Sequence, residues 1–252
     1  MEDIPLVEMR KISKSFGMIK ALQAVDLKLY HNEVLGLVGD NAAGKSTLVK
    51  ILSGVYAPDE GEIFIEGKKV NFTSPADSRK LGIEMIYQDL ALVPNLSIAG
   101  NIFLGRELVK NLLGMRILDK KRMFEESRGI ITKLGIDVES TKIKSENLSG
   151  GQRQTVAVGR AVFFKPRVVI MDEPTAALSV KGIKRVLELI KELRERGISI
   201  IFISHRLPNI FAVADRIVIL RAGRRVGDRI TRDTAPEEII ELMVGISQDN
   251  ES

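Results

Sequence analysis

Apolar residues recur along this chain in two rhythms that alternate for most of its length. Short aliphatic and β-branched runs at 6–9, 22–29, 34–38, 168–171, 198–203 and 217–220 have the length and composition of strands. Between and after them, apolar positions three and four apart predict helices over 46–52, 120–134, 152–163, 181–196 and 236–244. This alternation is the pattern of an α/β fold. The runs at 168–171 and 198–203 are apolar at successive positions, with a helix between them, which is the rhythm of parallel strands buried on both faces. The amino-terminal residues up to Val70 are richer in strands and predict a mixed sheet, with a hairpin between Gly54 and Val70 turning around Glu60-Gly61. Residues 95–164 carry helical periodicity without strong strand runs and read as a helical lobe. The helix at 236–244 is expected to lie as a cap on the surface.

Composition changes this picture in a few places. At 252 residues and 44% hydrophobic content, the chain can bury the core of one large domain with a lobe inserted in it. No apolar run is long enough for a membrane span, and the start Met1-Glu2-Asp3-Ile4-Pro5 is acidic where a secretory signal is basic, so a cytosolic protein is expected. Without cysteine there is no thiolate metal site, and two histidines leave little material for zinc, so any metal must sit on oxygen. The net charge of +5 suits phosphate ligands or an anionic membrane face and selects no partner. Nucleic acid is not expected, because 5% aromatic content without Trp gives no stacking platform.

The strongest chemical signal is Gly39-Asp40-Asn41-Ala42-Ala43-Gly44-Lys45-Ser46, which fits the phosphate-loop pattern of Gly, four residues, Gly, Lys and Ser or Thr. It follows the run at 34–38 and opens the helical pattern at 46–52, so backbone N–H groups and a helix N-terminus converge as an anion site. Lys45 would meet the β- and γ-phosphates, and the Ser46 hydroxyl would ligate Mg²⁺. The plain alternative, a Gly-rich turn, does not require the Lys and Ser in that order.

Two carboxylates end the run at 168–171. Neighbouring strand residues point to opposite sides, so Asp172 and Glu173 can have different tasks. Asp172 suits holding Mg²⁺ through its water shell, and Glu173 suits a general base that polarises the attacking water. His205, after the run at 198–203, would place an imidazole by the γ-phosphate, whereas His31 reads as a solvated turn residue.

Leu148-Ser149-Gly150-Gly151-Gln152 matches the signature of the ABC transporter ATPases, and the chain resembles that family throughout. Ser149 and the two glycines precede a helical stretch and make a second anion-binding helix start. In the family each ATP lies between the phosphate loop of one subunit and the signature of another, which implies a head-to-tail dimer. The resemblance implies an α/β fold with a P-loop (RecA-like) core formed by 1–94 and 165–234, an amino-terminal antiparallel or mixed β region, an inserted helical subdomain at 95–164, and a final helix and tail at 235–252. It implies ATP and Mg²⁺ as cofactors, with nucleotide contacts from Gly39, Asp40, Asn41, Ala42, Ala43, Gly44, Lys45, Ser46, Thr47, Ser149, Gly150, Gly151 and Gln152. Gln88 matches the family's glutamine that touches Mg²⁺ and links core to lobe, and Phe16 matches the aromatic that stacks on adenine. His205 takes the position of the switch histidine.

Two residues depart from the family pattern. Ala42 stands where most relatives have Gly, which costs about 1–2 kcal/mol if the loop needs a positive φ. Ser179 replaces the Asp usual in the loop that crosses the dimer interface. With no fused transmembrane segment or regulatory barrel, the resemblance favours an importer, and residues 95–107 look like the ribose, xylose, galactose and fructose systems. The expected partners are a second ATPase subunit, a transmembrane permease that holds the chain at the cytoplasmic membrane face, and indirectly a solute-binding protein. A soluble ABC ATPase acting without transport and an ATP-dependent adaptor are the alternatives.

Overall fold

The structure, a computed structural model, describes residues 4–87, 91–134, 139–176 and 178–245. The strands β1 (Val7–Phe16) and β2 (Ile19–Leu29) form a hairpin, β3 (Val34–Val38) leads into α1 (Lys45–Leu52), and β4 (Glu60–Ile65) turns into β5 (Lys68–Val70). A short helix α2 (Pro75–Lys80) precedes β6 (Ile83–Ile86). Next come α3 (Ile98–Ile102), a hairpin of β7 (Val109–Leu112) and β8 (Met115–Leu118), then α4 (Lys120–Lys133) and α5 (Gly150–Phe163). The remaining elements are β9 (Val168–Asp172), α6 (Val180–Glu195), β10 (Ser199–Ile203), α7 (Leu207–Phe211), β11 (Arg216–Arg221), β12 (Arg224–Ile230) and α8 (Pro236–Val244).

Two sheets carry the fold. The amino-terminal sheet is antiparallel, in the order β2-β1-β4-β5, and the central sheet runs β12-β11-β3-β10-β9-β6. All central strands are parallel except the edge strand β12, which pairs antiparallel with β11. The successive apolar residues divide between two cores, as the pleat requires. Leu35, Leu37, Ile170, Ile201 and Ile203 face α1 and the amino-terminal sheet. Val34, Val38, Val169, Met171, Ile200 and Phe202 face the side covered by α5, α6 and α8. A third, smaller cluster of Ile98, Ile102, Phe103, Met123, Ile131, Leu148 and Val156 holds α3, α4 and α5 together. Arg216 clamps the sheet junction from a mostly buried position, bonding Glu33, Asp228 and the carbonyl of Lys28.

Two expectations from the periodicity need correction. The hairpin between Gly54 and Val70 turns at Glu66-Gly67, where both φ values are positive as a tight primed turn demands, and Glu60-Gly61 instead begins β4. Residues 95–164 contain the β7–β8 ribbon, whose solvent-exposed strands bury no continuous apolar face that would have marked them. The carboxyl-terminal helix lies on the surface as expected, with Ile239 its one buried residue, seated against the central sheet.

Candidate active site

The three parallel strands β3, β10 and β9 are neighbours, and their register sets the site. Ile203 pairs with Leu37 on one side and with Asp172 on the other, so the carboxyl ends of the three strands lie level. Ligands of open parallel sheets bind at such an edge. The phosphate loop leaves β3 there, Asp172 ends β9 with Glu173 just beyond it, and His205 follows β10. Together Asn41 to Thr47, Asp172, Glu173 and His205 line one cavity of about 430 Å³ with Ile19, Lys20 and Ala21 of β2. Those three β2 residues were not singled out from the sequence, since nothing in their types distinguishes them.

The loop's shape comes from its glycines and one costly alanine. Gly39 has φ 149, and a Cβ there would collide with the Leu220 carbonyl of β11; Gly44, at φ 101, is the N-cap of α1. Ala42 has φ 65, the left-handed conformation suspected from its place in the pattern. That backbone costs a residue with a Cβ about 1–2 kcal/mol. Replacing Ala42 by Gly should therefore raise stability by about 1 kcal/mol, read as a higher urea midpoint with an unchanged m-value.

Lys45 is buried and donates to the carbonyls of Gly39 at 2.7 Å and Asp40 at 2.9 Å, which curls the loop around its ammonium. Burial lowers its pKa, against the pull of Glu173, Asp172 and Asp40. Burial raises the pKa of Asp172, opposed by the Ser46 hydroxyl, which donates to its Oδ1 at 3.4 Å, and by Lys50 and Lys45. Both shifts have one cause, charge taken out of water, and a polyphosphate beside Lys45 with a hard cation beside Asp172 would relieve both. Ser46 and Asp172 offer only oxygen donors, which suits Mg²⁺. Among the described residues no cluster of three carboxylates or imidazoles gathers to hold a metal by protein alone, so the remaining positions would fall to phosphate and water.

Glu173 sits at φ 51, a strained conformation held by its N–H to the Ile203 carbonyl at 3.1 Å. Its Oε2 lies 2.8 Å from His205 Nδ1. The imidazole faces the carboxylate, as it would if both addressed one water and one phosphate.

Phe16 and the signature residues do not line this cavity. Phe16 lies at the β1–β2 turn but packs edge-on against Tyr56, ring centroids 5.2 Å apart, and is not among the lining residues. Gln88 lies outside the described residues. Ser149 to Gln152 open α5 elsewhere, where Ser149 and Gln152 cap each other's backbone N–H groups in a capping box. Ser149, Gly151 and Gln152 line a separate cavity of about 550 Å³ with Ser179, the N-cap of α6. Capping is a task Ser and Asp share, which gives Ser179 a local reason. The α5 helix is tied to the carboxylate loop, since the buried Gln154 amide donates to the Pro174 carbonyl just after Glu173.

A phosphate loop, paired carboxylates and a histidine at one sheet edge define a P-loop nucleotide hydrolase. A sequence profile of the ABC transporter family matches residues 22–176, and the chain belongs to that family, whose cassettes bind and hydrolyse ATP. It is 48% identical to the xylose/arabinose import ATP-binding protein XylG of Sulfolobus acidocaldarius, with 96% of this chain and 95% of that protein covered. Identity to the fructose import ATP-binding protein FrcA of Rhizobium meliloti is 47%, over 98% of this chain and 97% of that protein. A solved dimeric ATP-binding cassette in a post-hydrolysis state with ADP and phosphate matches at a TM-score of 0.77 and 26% identity, covering 90% of this chain and 100% of that one.

Proposed function

We propose that this chain is the ATP-hydrolysing subunit of a sugar importer, pairing with a second ATPase subunit and driving a separate permease fed by a solute-binding protein. The observation that carries it is the convergence of Lys45, Ser46, Asp172, Glu173 and His205 on one cavity while the signature residues line another. Within one chain the two anion sites stay apart, so a second chain must bring its signature to the nucleotide. In this reading Lys45 and the loop N–H groups hold ATP, and Ser46, Asp172 and Gln88 would hold Mg²⁺, which would supply positive charge against the phosphates. Glu173 accepts the proton of the attacking water, and His205 keeps that carboxylate aimed. The near full-length similarity to two sugar-import proteins supports the sugar class. Residues 1–94 and 165–234 would form the nucleotide-binding body, 95–164 the lobe that delivers the signature, and 235–252 a helix and tail.

The permease would dock where Arg79, Glu84, Tyr87, Leu104, Arg106 and Arg160 line a cavity of about 270 Å³ between body and lobe. Phe103 is fully buried beneath it and belongs to the lobe core, so Leu104, which is exposed, is the informative position. Leu104→Arg should cut copurification with the permease about tenfold while the melting temperature holds; unchanged copurification would move the groove elsewhere. Phosphate release by the purified chain tests the hydrolase reading, and identifying the proteins that copurify from membranes tests the importer reading.

A further inference from the structure

The β7–β8 ribbon has an unusual surface. Leu113 at its turn is 92% exposed, Met115 62%, Leu112 51%, Leu118 46% and Val109 44%. Paired residues share a face of a ribbon and successive pairs alternate, so Leu112 with Met115 and Val109 with Leu118 lie on opposite faces. A protein groove would cover one face of such a ribbon, whereas a fluid apolar medium surrounds both. The turn adds a second sign. Leu113 adopts φ 49 and Gly114 φ 83, a turn in which Asn or Asp is the usual first residue. The chain thus holds leucine in a costly conformation at the ribbon's most exposed apolar position.

Charge names the medium. Residues 106–122 carry six basic side chains against the acidic Glu107 and Asp119. Arg106 pairs with Glu84 and Arg122 with Glu126, and Lys121 stands 4.0 Å from Glu125. Lys110, Arg116 and Lys120 have no ion-pair partner among the described residues. The cytoplasmic loops of a permease are themselves rich in Lys and Arg and would repel this ribbon, whereas anionic lipid headgroups would attract it. An apolar tip with a basic base is the composition of an interfacial anchor.

We propose that the β7–β8 ribbon is a membrane-surface foot, its Leu112-Leu113-Gly114-Met115 tip entering the interface of an anionic bilayer and Lys110, Arg116 and Lys120 meeting the headgroups. Its orientation rests on the transporter reading, since the ribbon begins three residues after Arg106 of the permease groove. The experiment does not need the permease. The full chain is floated with vesicles of phosphatidylcholine alone or mixed with phosphatidylglycerol, and its ATPase rate is measured in the same preparation. The wild type should float with the anionic vesicles and lose most of that binding on pure phosphatidylcholine or in high salt. Leu113→Asn should lower vesicle binding about tenfold while raising the melting temperature, because Asn tolerates the left-handed turn; a purely structural role moves both the same way. Lys110→Glu with Arg116→Glu should abolish the preference for anionic lipid. Equal flotation of wild type and Leu113→Asn overturns the proposal, as does an ATPase-active wild type that ignores vesicles. If Leu113→Asn instead lost only permease copurification, the ribbon would be a protein contact and the lipid proposal would fall. Flotation without ATPase activity would leave the foot standing and remove the hydrolase reading.

Discussion

Lys45→Ala should weaken ATP binding about a hundredfold or more in equilibrium dialysis, the larger part of what this loop contributes. Its ammonium is held by the Gly39 and Asp40 carbonyls at the centre of the loop, buried, with its pKa lowered by that burial. Nothing else among the loop's side chains is cationic, so its removal leaves the loop itself only N–H dipoles to set against two phosphates. A hydrogen-bonded charge pair lost from a buried site costs about 2–5 kcal/mol, and 1.4 kcal/mol is tenfold in affinity. The same substitution releases two carbonyls, so a modest fall in melting temperature should accompany it. Near-native affinity in the folded variant would sink the phosphate-loop reading.

How far the chain could be read in advance depended on whether burial wrote a pattern. The strands β3, β9, β10 and β11 are buried on both faces and appear as successive apolar residues, which no other element here imitates. The chemistry was legible where a loop must carry fixed residue types in order, as at 39–46, because backbone geometry and phosphate charge dictate them. The central sheet's edge strand β12 was not. In β12, Arg224, Arg225, Arg229 and Gly227 interrupt the apolar signal, since one side of an edge strand meets solvent and needs no apolar residue. The β7–β8 ribbon escaped notice for a related reason: its apolar residues serve no core, so they follow neither period. Ile19, Lys20 and Ala21 reach the cavity only because β2 folds back over the loop, a long-range consequence that local pattern does not carry.

Glu173→Gln should trap a dimer. The amide keeps an oxygen that can accept from His205 Nδ1, now 2.8 Å from the carboxylate, and the backbone at φ 51 is unchanged, so the variant should fold as the wild type does. What it loses is the base, and ATP should bind without being hydrolysed. If each nucleotide bridges the phosphate loop of one chain and residues 149–152 of another, binding stabilises the dimer by mass action and hydrolysis normally dissolves it. Light scattering at about 20 µM protein should then show ATP shifting Glu173→Gln from monomer to dimer, and never shifting Lys45→Ala. The signature supplies the sharper control. A side chain at Gly151 would meet nothing within 4 Å, so Gly151→Asp fits its own chain. Its charge at the start of α5 even favours that helix. Across a dimer, however, the new carboxylate would face the partner's nucleotide phosphates, and the doubly substituted protein should stay monomeric with ATP despite melting no lower. A doubly substituted protein that still dimerised would place the signature away from the nucleotide, while ATP-bound Glu173→Gln that stayed monomeric would argue for a different ATPase chain as partner, with Ser179 the first residue to exchange for Asp.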